Sequence, residues 1–198
     1  MYPTCTTRMA ASRRGPSQGS TLWAYTWDVA DHLLKVTRGG ANQGVYAYDG
    51  TGRMVESIES SSMNFFAYYG TEMLWRNVTD YLYAGGMRIA KVYVTNGQFN
   101  TVRYYHDDTL GSTRLMTTDT GSVMLTDSYQ PFGQDNGTPT GSEQVPLKFT
   151  GKPVSPTTGL YYDYQRWYDP SIGRFISQDS DPGYRSDPEP EPVPLRRE

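Results

Sequence analysis

Two stretches of this chain superimpose: YTWDVADHLLKV from Tyr25 and YAYDGTGRMVES from Tyr46. Both run Tyr, any residue, an aromatic, then Asp, and the aspartates Asp28 and Asp49 stand 49 − 28 = 21 positions apart. A looser copy, FAYYGTEMLW, begins at Phe66 with Tyr69 in the aspartate's place, and a fourth, YLYAGGMRIAKV, begins at Tyr81. A period near 20 residues constrains the fold more than any other feature, because each unit must be one supersecondary piece that stacks on its neighbours.

The unit is a hairpin. Alternating aromatics such as Tyr46 and Tyr48 make a strand with one tyrosine-rich face. In the Asp49-Gly-Thr-Gly52 segment the aspartate side chain caps a turn and Gly52 supplies a positive φ, after which Arg53 begins the returning strand. A single hairpin is marginal in water, so the units must pair edge to edge. Composition agrees: 17 tyrosines and 20 glycines among 198 residues leave few aliphatic residues, so tyrosine has to supply much of the buried area. A ring can be buried while its hydroxyl reaches a wet edge, which suits a sheet with one covered face. The expected class is all-β, with no helix of ten residues.

Downstream the strict period is lost. VRYYHDDTLGSTRLMTTDTGSVMLTDSYQPFGQ reads as strand, loop, strand, a turn at Asp119–Gly121, and strand. Residues 134–146 read as a polar Gly/Pro loop and LKFTGKP as a short strand ending at Pro153. In TGLYYDYQRWYDPSIGRF, period two predicts one strand with Leu160, Tyr162, Tyr164 and Tyr168 on one face and Tyr161, Asp163, Gln165 and Trp167 on the other. DPSIG is a tight turn in which Pro170 fixes φ and Gly173 accepts a positive φ. Arg174 and Phe175 then return as a strand. Residues 1–20 read as flexible, and the tail from Asp179 as extended and proline-rich.

The net charge of −3, with basic residues that are mostly scattered arginines, gives no footprint for a nucleic-acid partner. The lone cysteine, Cys5, builds neither a disulfide framework nor a cysteine metal site. No run of eighteen apolar residues is present, and the N-terminus has no apolar signal core.

YAYDGTGRM resembles the tyrosine-aspartate repeat of RHS (rearrangement hot spot), or YD-repeat, proteins. HDDTLGSTRLMTTDTGSV, with Gly111, Ser112, Thr113 and Arg114, is similar to the segment that opens the RHS repeat-associated core. SYQPFGQ, with Pro131, Phe132 and Gly133, looks like its continuation. KFTGKPVSPTTGLYYDYQRWYDPSIGRFISQD is similar to the family signature nearly throughout. There the motif positions are Thr150, Gly151, Gly159, Leu160, Tyr161, Tyr162, Arg166, Tyr168, Asp169, Pro170, Gly173, Arg174 and Phe175. The resemblance divides the chain into a flexible 1–20, YD-type repeats at 21–105, the associated core at 106–182 and a Pro/Glu-rich tail at 183–198.

The resemblance implies stacked antiparallel hairpins of an RHS shell, here incomplete at both ends. Such a shell encloses or presents a C-terminal polypeptide, in many relatives a toxin, and teneurins and toxin-complex subunits carry it too. Partners would be the remainder of a shell, a cargo polypeptide, or further copies of the chain paired through open strand edges, which are templates for other strands. Secretion or the cell surface is the setting the family implies. No cofactor is called for. The Asp-Pro-x-Gly-Leu box that closes the family core is not in this sequence, so self-cleavage is not carried over.

Sharper chemistries stand beside this structural reading. An adhesion or carbohydrate-binding module would use exposed aromatics, Trp167 first. A self-cleaving aspartyl-type peptidase would use Asp179 and Asp181 as a proton-sharing pair. His106, Asp107 and Asp108 have metal-ligand character, though a solvated loop accounts for them. Ser112 lacks the glycines two before and two after that a nucleophile elbow needs, since Leu110 and Arg114 stand there. The sequons at Asn77 and Asn136 fit surface turns.

Overall fold

The computed structural model describes residues 22–177. The chain climbs through consecutive antiparallel strands: β1 Trp23–Trp27, β2 Leu33–Arg38, β3 Ala41–Tyr48, β4 Met54–Glu59, β5 Ser62–Tyr69 and β6 Glu72–Arg76. It continues as β7 Thr79–Ala84, β8 Met87–Thr95, β9 Gln98–Asp107, β10 Thr113–Thr117, β11 Val123–Thr126 and the two-residue β12 Thr140–Gly141. All twelve pair in sequence order in one sheet. A second sheet of β13 Tyr161–Asp163, β14 Arg166–Asp169 and β15 Arg174–Phe175 follows. The expected all-β class holds, and the one helical piece among the described residues is a single 3-10 turn, Phe149–Gly151. The division between repeats and associated core drawn at residue 106 falls within β9.

One rim of the sheet shows why the repeat reads as it does. Asp28 Oδ1 accepts the amides of Ala30 and His32 at 2.9 and 2.8 Å. Asp49 Oδ1 accepts Thr51 and Arg53 at 2.8 and 3.1 Å, and Asp108 Oδ1 accepts Leu110 and Ser112 at 2.9 Å each. The fourth residue of each turn has positive φ: Asp31 at 62°, Gly52 at 81°, Gly111 at 79°. At Gly52 the space is closed as well, since a Cβ would lie 2.7 Å from His32 Nε2. The two looser copies reverse differently, through two-residue turns at Gly70-Thr71 and Gly85-Gly86. They dispense with the aspartate because a two-residue reversal needs only backbone that tolerates positive φ.

One face of the sheet carries Tyr25, Trp27, Leu33, Val36, Tyr46 and Met54, all buried. Residues 143–176 fold back over this face and supply Leu147, Leu160, Tyr162 and Trp167 to the same core. This cover joins the last described quarter of the chain to its first strands, as contacts such as Tyr162 with Met54 show.

Two expectations for the cover are corrected. LKFTGKP is not a strand: Thr150 and Gly151 have φ of 50° and 69°, so the chain coils into the 3-10 turn, with Leu147 and Pro153 meeting as an isolated bridge. TGLYYDYQRWYDP is not one strand either. Tyr164 sits at φ 54° and the chain reverses between β13 and β14, pairing Tyr162 with Trp167. That reversal resets the alternation, so Tyr162 and Trp167 share a contact at 5.3 Å between ring centroids instead of facing opposite ways. The 134–146 segment is a loop that includes β12.

Candidate functional site

The seam between the cover and the repeats holds most of the residues that the sequence singles out. Tyr46 and Trp167 are 4.5 Å apart between ring centroids. Trp167 Nε1 donates to the Tyr48 hydroxyl at 2.9 Å, and that hydroxyl donates on to the Leu33 carbonyl at 2.8 Å. The Tyr162 hydroxyl accepts the Met54 amide at 2.7 Å and donates to the Tyr164 carbonyl. Each strand amide or carbonyl used this way lies where a turn interrupts the ladder, so a tyrosine hydroxyl replaces the missing strand partner. Burial pushes the Tyr46 and Tyr48 hydroxyls well above the ordinary tyrosine range, and the nearby Glu59 carboxylate adds to this at Tyr46. They remain neutral hydrogen-bonding groups.

Trp167 is 2% exposed. It is therefore a strut of the core and cannot be the face of a carbohydrate platform. Asp179 and Asp181, the pair considered for self-cleavage, lie outside the described residues. His106 Nε2 contacts Thr117 Oγ1 at 3.0 Å, Asp107 pairs with Arg88, and Asp108 caps its own turn. Ser112 is buried and accepts the Thr150 amide at 3.0 Å. Asn77 is engaged rather than free: its Oδ1 accepts the Phe65 amide at 2.8 Å.

The remaining motif residues hold the cover down. The Thr113 hydroxyl donates to the Leu147 carbonyl at 2.8 Å, and the Gly151 carbonyl accepts Arg88 at 3.4 Å. The Arg114 guanidinium lies 5.6 Å from the Tyr129 ring. The Tyr161 hydroxyl donates to the Gly133 carbonyl at 2.9 Å, and the Tyr168 hydroxyl donates to the Phe132 carbonyl at 3.0 Å. Leu160 is fully buried and Gly159 turns into it at φ 69°. Asp169 caps the Pro170–Gly173 turn by accepting the Ser171 amide at 2.8 Å. Arg166 lies 3.8 Å over the Phe175 ring, and Arg174 stands opposite Asp169 in the backbone register of β14 and β15. Pro131 sits in the exposed turn before Gly133.

Three polar clamps escaped the sequence reading. In the first, buried Glu59 takes hydrogen bonds from Tyr46, from Thr157 at 3.2 Å and from Ser155. In the second, Arg88 binds Asp107 and Thr113 at 2.8 and 2.7 Å. Burial raises the Asp107 carboxyl above its ordinary value despite Arg88. In the third, Glu143 receives Lys91 at 2.8 Å, Arg103 at 2.9 Å and the Tyr93 hydroxyl. Burial alone would raise Glu143, but the Lys91 and Tyr93 hydrogen bonds outweigh it and hold the carboxyl below its ordinary value. Burial lowers the Lys91 ammonium. A signal for the clamps exists: Glu59, Arg88 and Lys91 are charged residues inside strands, and each is buried. The sequence does not show which partner meets them, because the partners lie 13 to 98 residues away.

Among the described residues, nothing in this arrangement sets a nucleophile, a base and an open cleft together. The interactions tie one layer to another.

Comparison with known proteins agrees with that arrangement. The family profile described as Teneurin YD-shell matches residues 13–193. Among curated proteins, the tRNA3(Ser)-specific nuclease WapA of Bacillus spizizenii is 27% identical over 187 residues, which cover 88% of this chain and 8% of that protein. Double-stranded DNA deaminase toxin A of Burkholderia cenocepacia is 24% identical over 207 residues, covering 86% of this chain and 14% of the toxin. Among solved structures, the Photorhabdus luminescens Tc holotoxin pore superposes with a TM-score of 0.63 at 21% identity, over 79% of this chain and 9% of the matched chain. The TcdB2-TccC3 crystal structure gives 0.61 at 22%, with the same coverages. This chain thus spans a small fraction of the proteins it matches, and its likeness to the solved shells is one of fold. With most of its length inside the matched profile, the chain belongs to the Teneurin YD-shell family.

Proposed function

We propose that this chain is wall material of a YD shell whose role is to enclose or present a C-terminal polypeptide such as a toxin. The observation that carries the reading is the cover: residues 143–176 fold back onto the face of the repeats and lock there through buried aromatics and through polar contacts made by Glu59, by Arg88 to the Gly151 carbonyl, and by Glu143. In this reading the region is structural, and any enzymatic activity belongs to what it surrounds. The matched nuclease and deaminase toxins are far longer than this chain, which fits a shared casing joined to different activities. The partners in this reading are the rest of a shell, a cargo polypeptide, or strands added at the open edges of β1 and β12.

The test is protease protection in the translation product of the chain's locus. The casing reading expects a C-terminal polypeptide that resists digestion until denaturant opens the shell. Digestion of that polypeptide as fast as in its isolated form would contradict it. Self-cleavage is not part of the reading, and mass spectrometry of the purified 198-residue chain should give one uncleaved species. A glycan array addresses adhesion: binding there would have to use aromatics other than the buried Trp167.

A further inference from the structure

Four lysines occur in the sequence, and three of them, Lys91, Lys148 and Lys152, form ion pairs with carboxylates. They differ in what surrounds the carboxylate. At Lys91 the partner Glu143 is saturated by Arg103 and Tyr93, which stabilise it as an anion. At Lys152 both groups stay open to water, with 25% and 33% of their side chains exposed.

Lys148 is unlike either. Its Nζ lies 3.0 Å from Oδ2 of Asp127, whose side chain is only 2% exposed. The contact has ion-pair distance but lacks the alignment of a hydrogen bond, while the other carboxylate oxygen of Asp127 accepts the Ser128 amide at 2.8 Å. A second carboxylate, Asp135, touches the same nitrogen at 2.5 Å. Aromatic rings wall the site: the Lys148 ammonium is 5.8 Å from the Tyr129 ring, which packs edge-on against Phe149. The backbone on both sides is pinned. Asp127 N–H donates to the Arg114 carbonyl at 2.9 Å, and the Lys148 carbonyl accepts the Thr113 amide at 3.2 Å.

We propose that Lys148 and Asp127 condense spontaneously into an intramolecular amide, with Asp135 moving the protons. Asp135 relays one proton from the ammonium to Oδ2 of Asp127, which leaves a free amine beside a neutral carboxyl. The free Nζ then attacks Cγ of Asp127 to form the C–N bond. A second proton from the nitrogen reaches the same oxygen through Asp135, and the C–O bond breaks. One water leaves, the nitrogen keeps one hydrogen, and a positive and a negative charge are lost together; nothing is oxidised or reduced. The step is favoured by position, because a buried ion pair carries a desolvation penalty that a neutral amide removes, and by proximity, because both reactants are already held in contact. Asp135 lies toward the groove that also includes Gly133 and Tyr161, which gives the water an exit. The bond would tie the end of the repeat sheet covalently to the cover.

Intact mass spectrometry of the full chain, purified under denaturing conditions after folding, decides this. The expected result is a species lighter than the sequence mass by one water, with Lys148→Arg and Asp135→Asn both at full mass. Peptide mapping should then find one branched peptide joining Asp127 to Lys148. Wild-type protein at full mass overturns the proposal. So does a loss of water that persists in both variants, since Asp49-Gly50 can lose water by cyclising on its own backbone.

Discussion

At the scale of single residues, turns and hydroxyls set the stability of this chain. The β4–β5 reversal is made by Ser60 and Ser61, both at positive φ, 48° and 64°. Elsewhere the same kind of turn uses Gly39-Gly40 or Asn96-Gly97. Left-handed backbone costs an ordinary L-residue about 1–2 kcal/mol, and Asn and Gly bear it best. The double substitution Ser60→Asn/Ser61→Gly should therefore raise stability by about 1 kcal/mol in a urea melt. The Tyr162 hydroxyl predicts the opposite sign. Tyr162→Phe leaves the buried Met54 amide without its acceptor, and stability should fall by about 1–3 kcal/mol, with Met54 N–H among the first amides to lose exchange protection.

At the scale of elements, the sequence reveals the hairpins but not what lies on them. Tyr46, Tyr48 and Asp49 announce a strand and its turn because alternation and turn chemistry are local properties. The reversal at Tyr164 is hidden, because an aromatic at positive φ gives no local warning and tertiary packing of Trp167 decides it. The Glu143 clamp is hidden for the same reason: its partners are on β8 and β9, 40 to 52 residues away. That clamp makes the cover's attachment depend on pH. The Glu143 carboxyl titrates below its ordinary 4.5 in the folded chain. Its contribution is therefore fully present above pH 4.5 and is lost as pH falls through the lower folded value. Asp107, raised by burial, works in the opposite sense, since its ionised form is the disfavoured one. Glu143→Gln should lower the midpoint of thermal unfolding at pH 7. It should also flatten the decline seen in wild type below pH 4.5, which melts across pH 3–7 would measure.

At the scale of the whole molecule, the sheet and its cover make one core. Tyr25, Tyr46, Met54, Tyr162 and Trp167 belong to a single buried cluster although the chain between them runs through twelve strands. The family resemblance and the all-β class are legible in the sequence, since both rest on contiguous motifs. The fold-back of the cover is not, because nothing local states that Trp167 must reach Tyr48 across 119 residues. Native-state hydrogen exchange tests this closure most directly. If cover and repeats are one cooperative unit, the amides of β3, β4, β13 and β14 open together, with the same free energy and the same response to denaturant. Fast, independent exchange of β13 and β14 over a still-protected β3 and β4 would contradict the account.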